Sequence, residues 1–466
     1  MPDPSIREQL HREVLRSDDS YGLLPEFVSQ VHEALEAGDE DSVRDMVAPL
    51  HYADIADLIE TLGSEDRALF VRATKASFNA EILPELDDAV RAEVIEELGY
   101  EDFAACLREV ESDDAVYLVG QLEDDEERDA VLAKLPPELR AVIEQALALP
   151  EYCAGRLMQR ELVAVPSYWT VGETIDYLRS GARLPDEFYQ IFIVDPRHRP
   201  VGYVRLSSLL RTRRPVRLSQ IMDLKAAEIP ITMDQEEVAF LFRQQNLLSA
   251  PVVDASGRLV GRITVDDVVD VIDEEAEDDL FRLAGLSEGD LFSDVVDTVK
   301  SRITWLLVNL GTAVLASLVI GVFESTLQAV VALAVLMPIV ASMGGNAGTQ
   351  TLTIAVRALA TKELTAANAG RIVGKELVIG LINGLMFAVL TGAVSWVWFG
   401  NVMIGVVIGA AMVINMIAAA LAGIAIPLVL DRLKVDPAVS SGVFLTTVTD
   451  VVGFFAFLGL AALFIL

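Results

Sequence analysis

Hydrophobic residues are distributed very unevenly along this chain of 466 residues. Each long apolar run in the last third is long enough to cross a hydrocarbon layer as an α-helix, which takes about 20 residues. The pattern therefore predicts a membrane domain of five helices within residues 303–466. The runs are residues 303–323, 326–354, 376–399, 402–430 and 439–466.

Basic residues predict the orientation of these spans, because they favour the cytoplasmic side of a membrane. The loops around residues 324–325 and 399–401 carry none, whereas every other flank or loop carries at least two. This distribution predicts a multi-pass protein of a bacterial-type inner or plasma membrane, with a cytoplasmic N-terminus and a C-terminus outside. The basic residues are Lys300, Arg302, Arg357, Lys362, Arg371, Lys375, Arg432 and Lys434.

Asp450 is an isolated acidic residue about eleven positions into the last apolar run, roughly 16 Å along a helix. A carboxylate near the middle of a bilayer costs several kcal/mol unless it faces water, a cation or the bundle interior. No Lys, Arg or His lies within the five runs to pair with it. The default interpretation is an intramembrane cation site.

Polar residues recur at helical spacing in the second run and again in the fifth. A glycine- and serine-rich packing face is the plainer explanation of either run alone, but two matching stripes indicate the walls of a pore. The second run reads MPIVASMGGNAGTQTLTIAV and the fifth contains TTVTDVVGF. The stripes are Ser342, Asn346 and Gln350 in the second run, and Thr446, Thr447 and Asp450 in the fifth.

The residue types along this path indicate which ion it would carry. One carboxylate with hydroxyl, amide and carbonyl oxygens suits hard divalent cations such as Mg²⁺, Mn²⁺ or Ca²⁺. No His or Cys follows residue 300, which disfavours zinc and copper. A proton relay would contain several acids or histidines along one path. A sparse site that holds a hydrated ion through its water shell suits Mg²⁺, which dehydrates reluctantly. The residue types alone leave Mn²⁺ and Co²⁺ open as alternative ions.

Charge divides the chain into two parts. Only 7 of the 36 basic and 6 of the 70 acidic residues follow Ser301, so the preceding part has a net charge of −35. Such a field repels nucleic acid and attracts cations, although solubility alone explains it equally well. Short amphipathic segments between acidic turns predict a helical superhelical N-terminal domain at 21–148, after a flexible N-terminus at 1–20.

Residues 149–275 contain an internal repeat with an offset of 59 residues. The first copy, IFIVDPRHRPVGYVRLSSLL, and the second, SAPVVDASGRLVGRITVDDVV, each predict a strand, a turn, a strand and a helix. This α/β pattern resembles a paired CBS module, a regulatory unit that often binds adenine nucleotides or ions. The resemblance implies an ATP site at Thr264 and Asp267, whereas Arg205 and Ser208 in the first copy depart from the nucleotide-binding pattern.

The order of an acidic helical domain, a CBS pair, a linking helix at 276–302 and five spans resembles the MgtE family of magnesium channels. GGNAGTQ in the second span and TTVTDVVGF in the fifth carry the resemblance, which covers nearly the whole chain. It implies a homodimer in the lipid bilayer, with a pore at the subunit interface lined by these two spans. The candidate pore and selectivity residues are Gly345, Asn346, Thr446, Thr447 and Asp450.

The same resemblance implies cytosolic Mg²⁺ sites between the helical domain, the CBS pair and the linking helix. Asn246 stands where an acidic ligand can occur, and Asp113 and Asp114 are further candidates in the helical domain. A solvated acidic helix is the plainer explanation of the acidic run after residue 265. The implied regulatory ligands are Glu236, Asp267, Asp270, Glu275, Asp278, Asp279 and Asp436.

These features favour a Mg²⁺-selective channel that takes up magnesium across the plasma membrane and is gated by cytosolic Mg²⁺. The acidic domain and the CBS pair would act as the ion sensor. A cation-coupled carrier or exporter of divalent metals is the alternative, and a membrane sensor that transports nothing is a third possibility. An enzyme fits least, since no nucleophile–base pair is evident and all 4 His lie within the first 200 residues.

Overall fold

The chain forms two compact units, Met1–Glu274 and Glu275–Leu466. The predicted flexible N-terminus lies outside the described residues, apart from the short strands β1 Arg16–Ser17 and β2 Ser20–Tyr21. Part of the predicted linking segment, residues 287–294, also lies outside them. The computed structural model describes residues 16–17, 20–21, 23–122, 124–181, 184–185, 187–224, 227–286, 295–365, 367–438 and 441–466.

Short helices form the first part of the Met1–Glu274 unit, as predicted. Their apolar faces share one continuous core, in which side chains such as Leu58, Phe70 and Phe103 are fully buried. The helices are α1 Pro25–Ala37, α2 Glu40–Val47, α3 Tyr52–Thr61, α4 Ser64–Thr74, α5 Ile82–Glu85, α6 Asp88–Cys106, α7 Ser112–Gly120, α8 Asp125–Leu132 and α9 Pro137–Leu147.

Two buried arginines stabilise consecutive helix pairs through the same contacts. Nε of Arg67 donates to the carbonyl eight residues back, and its Nη2 donates to the carbonyl five residues back. Arg91 repeats both contacts on the next pair. These carbonyls lie at or beyond the ends of preceding helices, where backbone acceptors have no partner within the helix. A buried guanidinium therefore closes each of these helix ends.

The CBS repeat is confirmed as two three-stranded sheets that share one topology. In each sheet a central strand pairs in parallel with the first strand and antiparallel with the third. The sheets are β3 Ala164–Pro166, β4 Gln190–Val194 and β5 Pro200–Arg205, then β6 Ile229–Pro230, β7 Ser249–Val253 and β8 Leu259–Thr264. The helices are α10 Ala154–Leu157, α11 Val171–Leu178, α12 Leu206–Arg211, α13 Gln235–Gln245 and α14 Val265–Ala284.

The glycine that recurs in each copy is required by close backbone approach. A Cβ at Gly202 would lie 2.5 Å from the carbonyl oxygen of Asp223, and one at Gly261 would lie 2.8 Å from that of Gln159. Real Cβ atoms do not approach backbone oxygens so closely, so any side chain here would displace the neighbouring segment. The glycine therefore recurs in both copies of the sequence repeat because both copies have the same packing constraint.

Five of the described helices are long and apolar enough to span a membrane. The second predicted run is divided, because Val330 has a non-helical backbone, φ −135° and ψ 84°, that separates a short helix from the long one. The third helix begins at Ala369 rather than at residue 376, so it includes charged residues assigned to a loop. The helices are α15 Val295–Val322, the short α16 Glu324–Ala329, α17 Ala332–Ala360, α18 Ala369–Phe399, α19 Val402–Arg432 and α20 Ser441–Phe464.

The arginine contacts can be tested with Arg91→Met. We expect this change to lower the free energy of unfolding of the helical part by about 3 kcal/mol, because two buried carbonyls lose a charged donor. Arg140→Met is the control. The Arg140 side chain is 48% exposed, and its ion pair among the described residues is with Glu144 on the same helix, so a loss of about 0.5 kcal/mol or less is expected. Denaturant unfolding of the full-length protein in detergent measures both, and equal losses would contradict the role given to Arg91.

Candidate functional site

The second and fifth spanning helices, α17 and α20, pack directly against each other through glycines. A Cβ at Gly348 would lie 2.8 Å from Cδ1 of Leu445, and one at Gly345 would lie 4.0 Å from Cγ2 of Thr446. Small residues allow helix backbones to approach closely in a membrane. The structure therefore brings the predicted residues Gly345 and Thr446 together.

The two predicted polar stripes lie next to this contact. Nδ2 of Asn346 is 3.5 Å from Oγ of Ser342, which places both side chains on one face of α17. Asn346 and Thr446 are exposed on the single chain, and Asp450 is half-buried. No basic residue lies in α20 to pair with Asp450. Among the described residues, a face of polar groups within apolar helices is thus left uncovered.

The two predicted threonines of the fifth helix, Thr446 and Thr447, hydrogen-bond to backbone carbonyls of the same helix. Oγ1 of Thr446 donates to the carbonyl oxygen of Gly442 at 3.1 Å, and Oγ1 of Thr447 donates to that of Val443 at 2.7 Å. Each hydroxyl proton is used within the helix, while the oxygen lone pairs stay available. This arrangement offers acceptors, which is what a cation or its water shell requires.

Sequence alone does not single out Glu376, a buried carboxylate of the third spanning helix. Glu376 is 8% exposed, and Oγ1 of Thr351 in α17 donates to its Oε2 at 3.2 Å. Glu376 is the first residue of the predicted third run, residues 376–399, whereas α18 begins seven residues earlier, so Glu376 lies within the helix and not at its start. Glu376 is therefore a buried acid of the bundle whose burial a count of apolar positions does not reveal.

Asn415 is a second residue that the sequence interpretation omits. It lies in the middle of α19 with no exposed surface, and its Nδ2 donates to the carbonyl oxygen of Val340 at 2.8 Å. The available signal was the same as for Asp450, a lone polar residue deep within an apolar run. An amide carries no charge, so its cost in hydrocarbon is lower and its pattern less conspicuous.

In the Met1–Glu274 unit, carboxylates collect where the first turns of α7 and α14 meet. Nε2 of Gln159 donates to Oε2 of Glu111 at 2.6 Å and lies 3.4 Å from Oδ2 of Asp267. Nη2 of Arg262 is 4.0 Å from Glu111. The acidic cluster consists of Glu85, Glu111, Asp113, Asp114, Asp266, Asp267 and Asp270.

Burial and mutual repulsion raise the pKa values of five members of this acidic cluster, which are Glu111, Asp113, Asp114, Asp267 and Asp270. Burial, followed by the charge of Asp267, raises the pKa of Asp114 to about 7 and that of Asp113 well above its usual range. Burial outweighs the attraction of Arg262 and raises the pKa of Glu111 to about 7, although that side chain is 46% exposed. Oδ1 of Asp113 is buried without a hydrogen-bond partner among the described residues. The cluster therefore holds more negative charge than its surroundings neutralise.

Asp267 and Asp270, predicted as regulatory ligands, both belong to this acidic cluster. Desolvation and neighbouring charges raise the pKa of Asp267, and they raise the pKa of Asp270, which lies at the surface, to about 6. Asp267 also accepts hydrogen bonds from the hydroxyl and the backbone N–H of Thr264, at 2.5 and 3.2 Å. This is the pattern of a helix N-cap, so the Thr-x-x-Asp spacing has a local structural role in α14.

The remaining predicted ligands lie elsewhere. Glu236 is exposed in the first turn of α13. The part of α14 that belongs to the Glu275–Leu466 unit carries Glu275, Asp278 and Asp279. Asp436 precedes α20 in the same unit.

Arg282 connects two of these predicted ligands. Its Nη2 donates to Oδ2 of Asp278 at 2.5 Å, and its Nη1 donates to Oδ2 of Asp436. An arginine therefore occupies the position between two carboxylates where a cation is expected.

Asn246, which stands where the family resemblance allows an acidic ligand, ends α13. Its backbone is left-handed, with φ 52°, a conformation that Asn tolerates better than most residues.

No ready-made metal cage is present in the described part of the chain. Within it, no group of three or more His, Cys, Asp or Glu side chains converges as a metal site requires. The unpartnered Asp113 oxygen and the excess of carboxylates nevertheless fit a hard cation, which prefers oxygen ligands and keeps part of its water shell. The acidic cluster thus has the donor chemistry for Mg²⁺ without a converged coordination shell.

Comparison with known proteins covers both units. Family models match residues 337–460, described as a divalent cation transporter (MgtE), residues 50–152, described as the MgtE intracellular N domain, and residues 154–214 and 218–274, described as CBS domains. The chain is 36% identical over 439 residues to the magnesium transporter MgtE of Thermus thermophilus, covering 93% of this chain and 97% of that protein. It is 31% identical over 325 residues to MgtE of Bacillus subtilis, covering 69% and 72%.

A solved structure of the cytosolic domain of the Mg²⁺ channel MgtE in complex with ATP is 32% identical, with a TM-score of 0.49, and covers 52% of this chain and 99% of that one. The 36% identity to the Thermus thermophilus transporter, over 97% of that protein's length, establishes the family. The protein is a multi-pass membrane protein that belongs to the MgtE family of magnesium transporters.

Proposed function

We propose that the protein is a Mg²⁺-selective channel that mediates magnesium uptake across the plasma membrane and closes when cytosolic Mg²⁺ rises. The observation that carries the proposal is the uncovered polar face of α17 and α20 around Asp450. An ionisable side chain within a spanning helix marks an ion path by default. Membership of a family of magnesium transporters gives the substrate class and argues against an enzymatic role.

A second copy of the chain is the proposed cover for this polar face. A carboxylate that faces lipid costs several kcal/mol, and the amide and hydroxyl groups beside it would keep unused hydrogen-bonding capacity there. A two-fold axis beside α17 and α20 would set the same face of another copy opposite and enclose water and ions between them. The proposed protein is therefore a homodimer with one central pore, a cytoplasmic N-terminus and a C-terminus outside.

The proposed filter is Asp450 with Asn346, Thr446, Thr447 and the backbone at Gly345. Two copies of one carboxylate are too few ligands to strip Mg²⁺ of its water. Mg²⁺ dehydrates reluctantly, so these oxygens would hold a hydrated ion through its water shell. Mn²⁺ and Co²⁺ remain the alternative ions, and a coupled carrier remains the alternative mechanism.

The acidic cluster is the proposed sensor within the Met1–Glu274 unit. Its carboxylates repel one another when ionised, so the packed form needs protons or cations among them. Mg²⁺ bound there would stabilise that packed form and disfavour any form in which the helical part and the second CBS copy separate. Gating requires only that Mg²⁺ binds the two forms with different affinity.

Arg282 is expected to compete with Mg²⁺ for the carboxylates of a second proposed sensor site. Mg²⁺ bound by Asp278 and Asp436 has to displace or share the guanidinium that now bridges them. Glu275, Asp279 and Glu236 are proposed to contribute in the same way, as oxygen ligands of hydrated ions. ATP at Thr264 and Asp267 would first have to break the hydrogen bond between these two side chains.

The pore proposal is tested by Mg²⁺ currents through membrane patches that contain the purified protein. Asp450→Asn should lower the current at least about tenfold, since loss of about 1.4 kcal/mol of ion attraction corresponds to that factor. Glu324→Gln, which changes an exposed acid of α16, should leave the current unchanged. Raising Mg²⁺ on the cytoplasmic face should close the wild-type channel. Normal current in Asp450→Asn would contradict the proposed filter.

The sensor proposal predicts a pH dependence of stability. Because the folded-state pKa values of Glu111 and Asp114 are raised to about 7, the folded form gains stability at low pH and loses it as pH rises through that value. Thermal unfolding of the full-length protein in detergent, without divalent cations, should show this loss, and millimolar Mg²⁺ should reverse it.

Asp113→Asn should flatten both the pH dependence and the Mg²⁺ effect, because it removes one buried charge from the acidic cluster. Asp129→Asn is the control, since Asp129 is exposed on α8 and lies outside the cluster. A Mg²⁺ effect of equal size in both variants would contradict the sensor.

A further inference from the structure

Asn415 of α19 is wedged between the two helices that carry the polar stripes. A Cβ at Gly344 in α17 would overlap Nδ2 of Asn415, and a Cβ at Gly453 in α20 would lie 2.8 Å from the same atom. Gly344 directly precedes the Gly345–Asn346 pair, and Gly453 lies one helical turn after Asp450. One amide therefore contacts both helices beside the candidate filter.

The amide is also bonded to one of these helices. Its Nδ2 donates to the carbonyl oxygen of Val340 at 2.8 Å, one turn before Gly344. This bond fixes the rotation of α17 about its own axis as well as its distance from α19. Its Oδ1 is buried and has no hydrogen-bond partner among the described residues. An apolar residue of the same size would avoid that cost, so packing alone does not explain an amide at this position.

We propose that Asn415 is a positioning residue of the ion pathway, a wedge and a tether that set the separation and rotation of α17 relative to α20. The inference rests on the proposed function, because it takes the stripes of these two helices as the filter. Asn415 does not touch the ion. It fixes where the oxygens of Asn346 and Asp450 stand, and a hydrated cation is selected by the spacing of such oxygens.

The wedge is tested without transport by a double-mutant cycle on thermal unfolding of the full-length protein in detergent. Gly344→Ala should lower the melting temperature strongly in the wild-type background and much less in the Asn415→Ala background, where the overlapping amide is absent. Gly374→Ala is the control, because a Cβ there meets nothing within 4 Å.

If Gly344→Ala alone does not fold, recovery of folded protein on adding Asn415→Ala is the same positive result. Additive losses in the cycle would overturn the wedge. Gly453→Ala provides an independent repeat of the cycle from the side of α20.

The link to ion selection is tested by the permeability ratio of Mg²⁺ over Ca²⁺ in patches. A residue that only stabilises the fold would lower the amount of current and leave the ratio unchanged. Asn415→Ala is expected to lower the ratio about tenfold, because small misplacements of interacting groups have large effects.

Reduced current with an unchanged ratio would overturn the positioning role. Absence of any Mg²⁺ current in the wild type would overturn the proposed function and the assignment of Asn415 to an ion path, while the unfolding cycle would still decide whether the wedge exists.

Discussion

The cost of removing carboxylates from water without a counter-charge shapes both units of this protein. In the membrane unit, Asp450 lies in a helix that has no basic residue. In the first unit, Asp113 is buried beside Asp114 and Asp267, and burial raises the pKa of all three. Stability alone would favour an apolar residue at these positions or a basic partner for each carboxylate, because an unpaired buried charge destabilises a protein by several kcal/mol. We propose that a transported cation in the membrane unit, and a sensed cation in the first unit, supplies the missing charge.

Glycine and a single amide determine how the membrane unit presents its carboxylate. Gly345 and Gly348 bring α17 against α20, while Gly344 and Gly453 leave room for Asn415 between the same two helices. Close approach and a fixed wedge together leave the polar face of α17 and α20 uncovered on the single chain. The geometry therefore explains why a second copy and a water-filled path are proposed at this face.

Periodic features of the fold could be predicted from the sequence, and contacts between distant residues could not. The repeat of 59 residues appears as two matching sheets because each copy buries the same glycine against a backbone carbonyl. Asp450 is visible in the sequence because one charge interrupts an apolar run, whereas Glu376 is hidden at the edge of a run. The bond between Arg282 and Asp436 joins residues 154 positions apart, and no local pattern encodes it. The Thr264–Asp267 spacing fits both a nucleotide site and a helix cap, and only the structure reveals the hydrogen bond between them.

Proton release on Mg²⁺ binding tests the central claim that cations replace protons among buried carboxylates. Calorimetry of the full-length protein in two buffers of different ionisation enthalpy counts the protons released per Mg²⁺ bound. Near pH 7, where Glu111 and Asp114 are half-protonated, release should be measurable, and it should fall as pH rises further and in Asp113→Asn. Mg²⁺ binding that releases no protons near pH 7, or that releases the same number at every pH, would contradict the account.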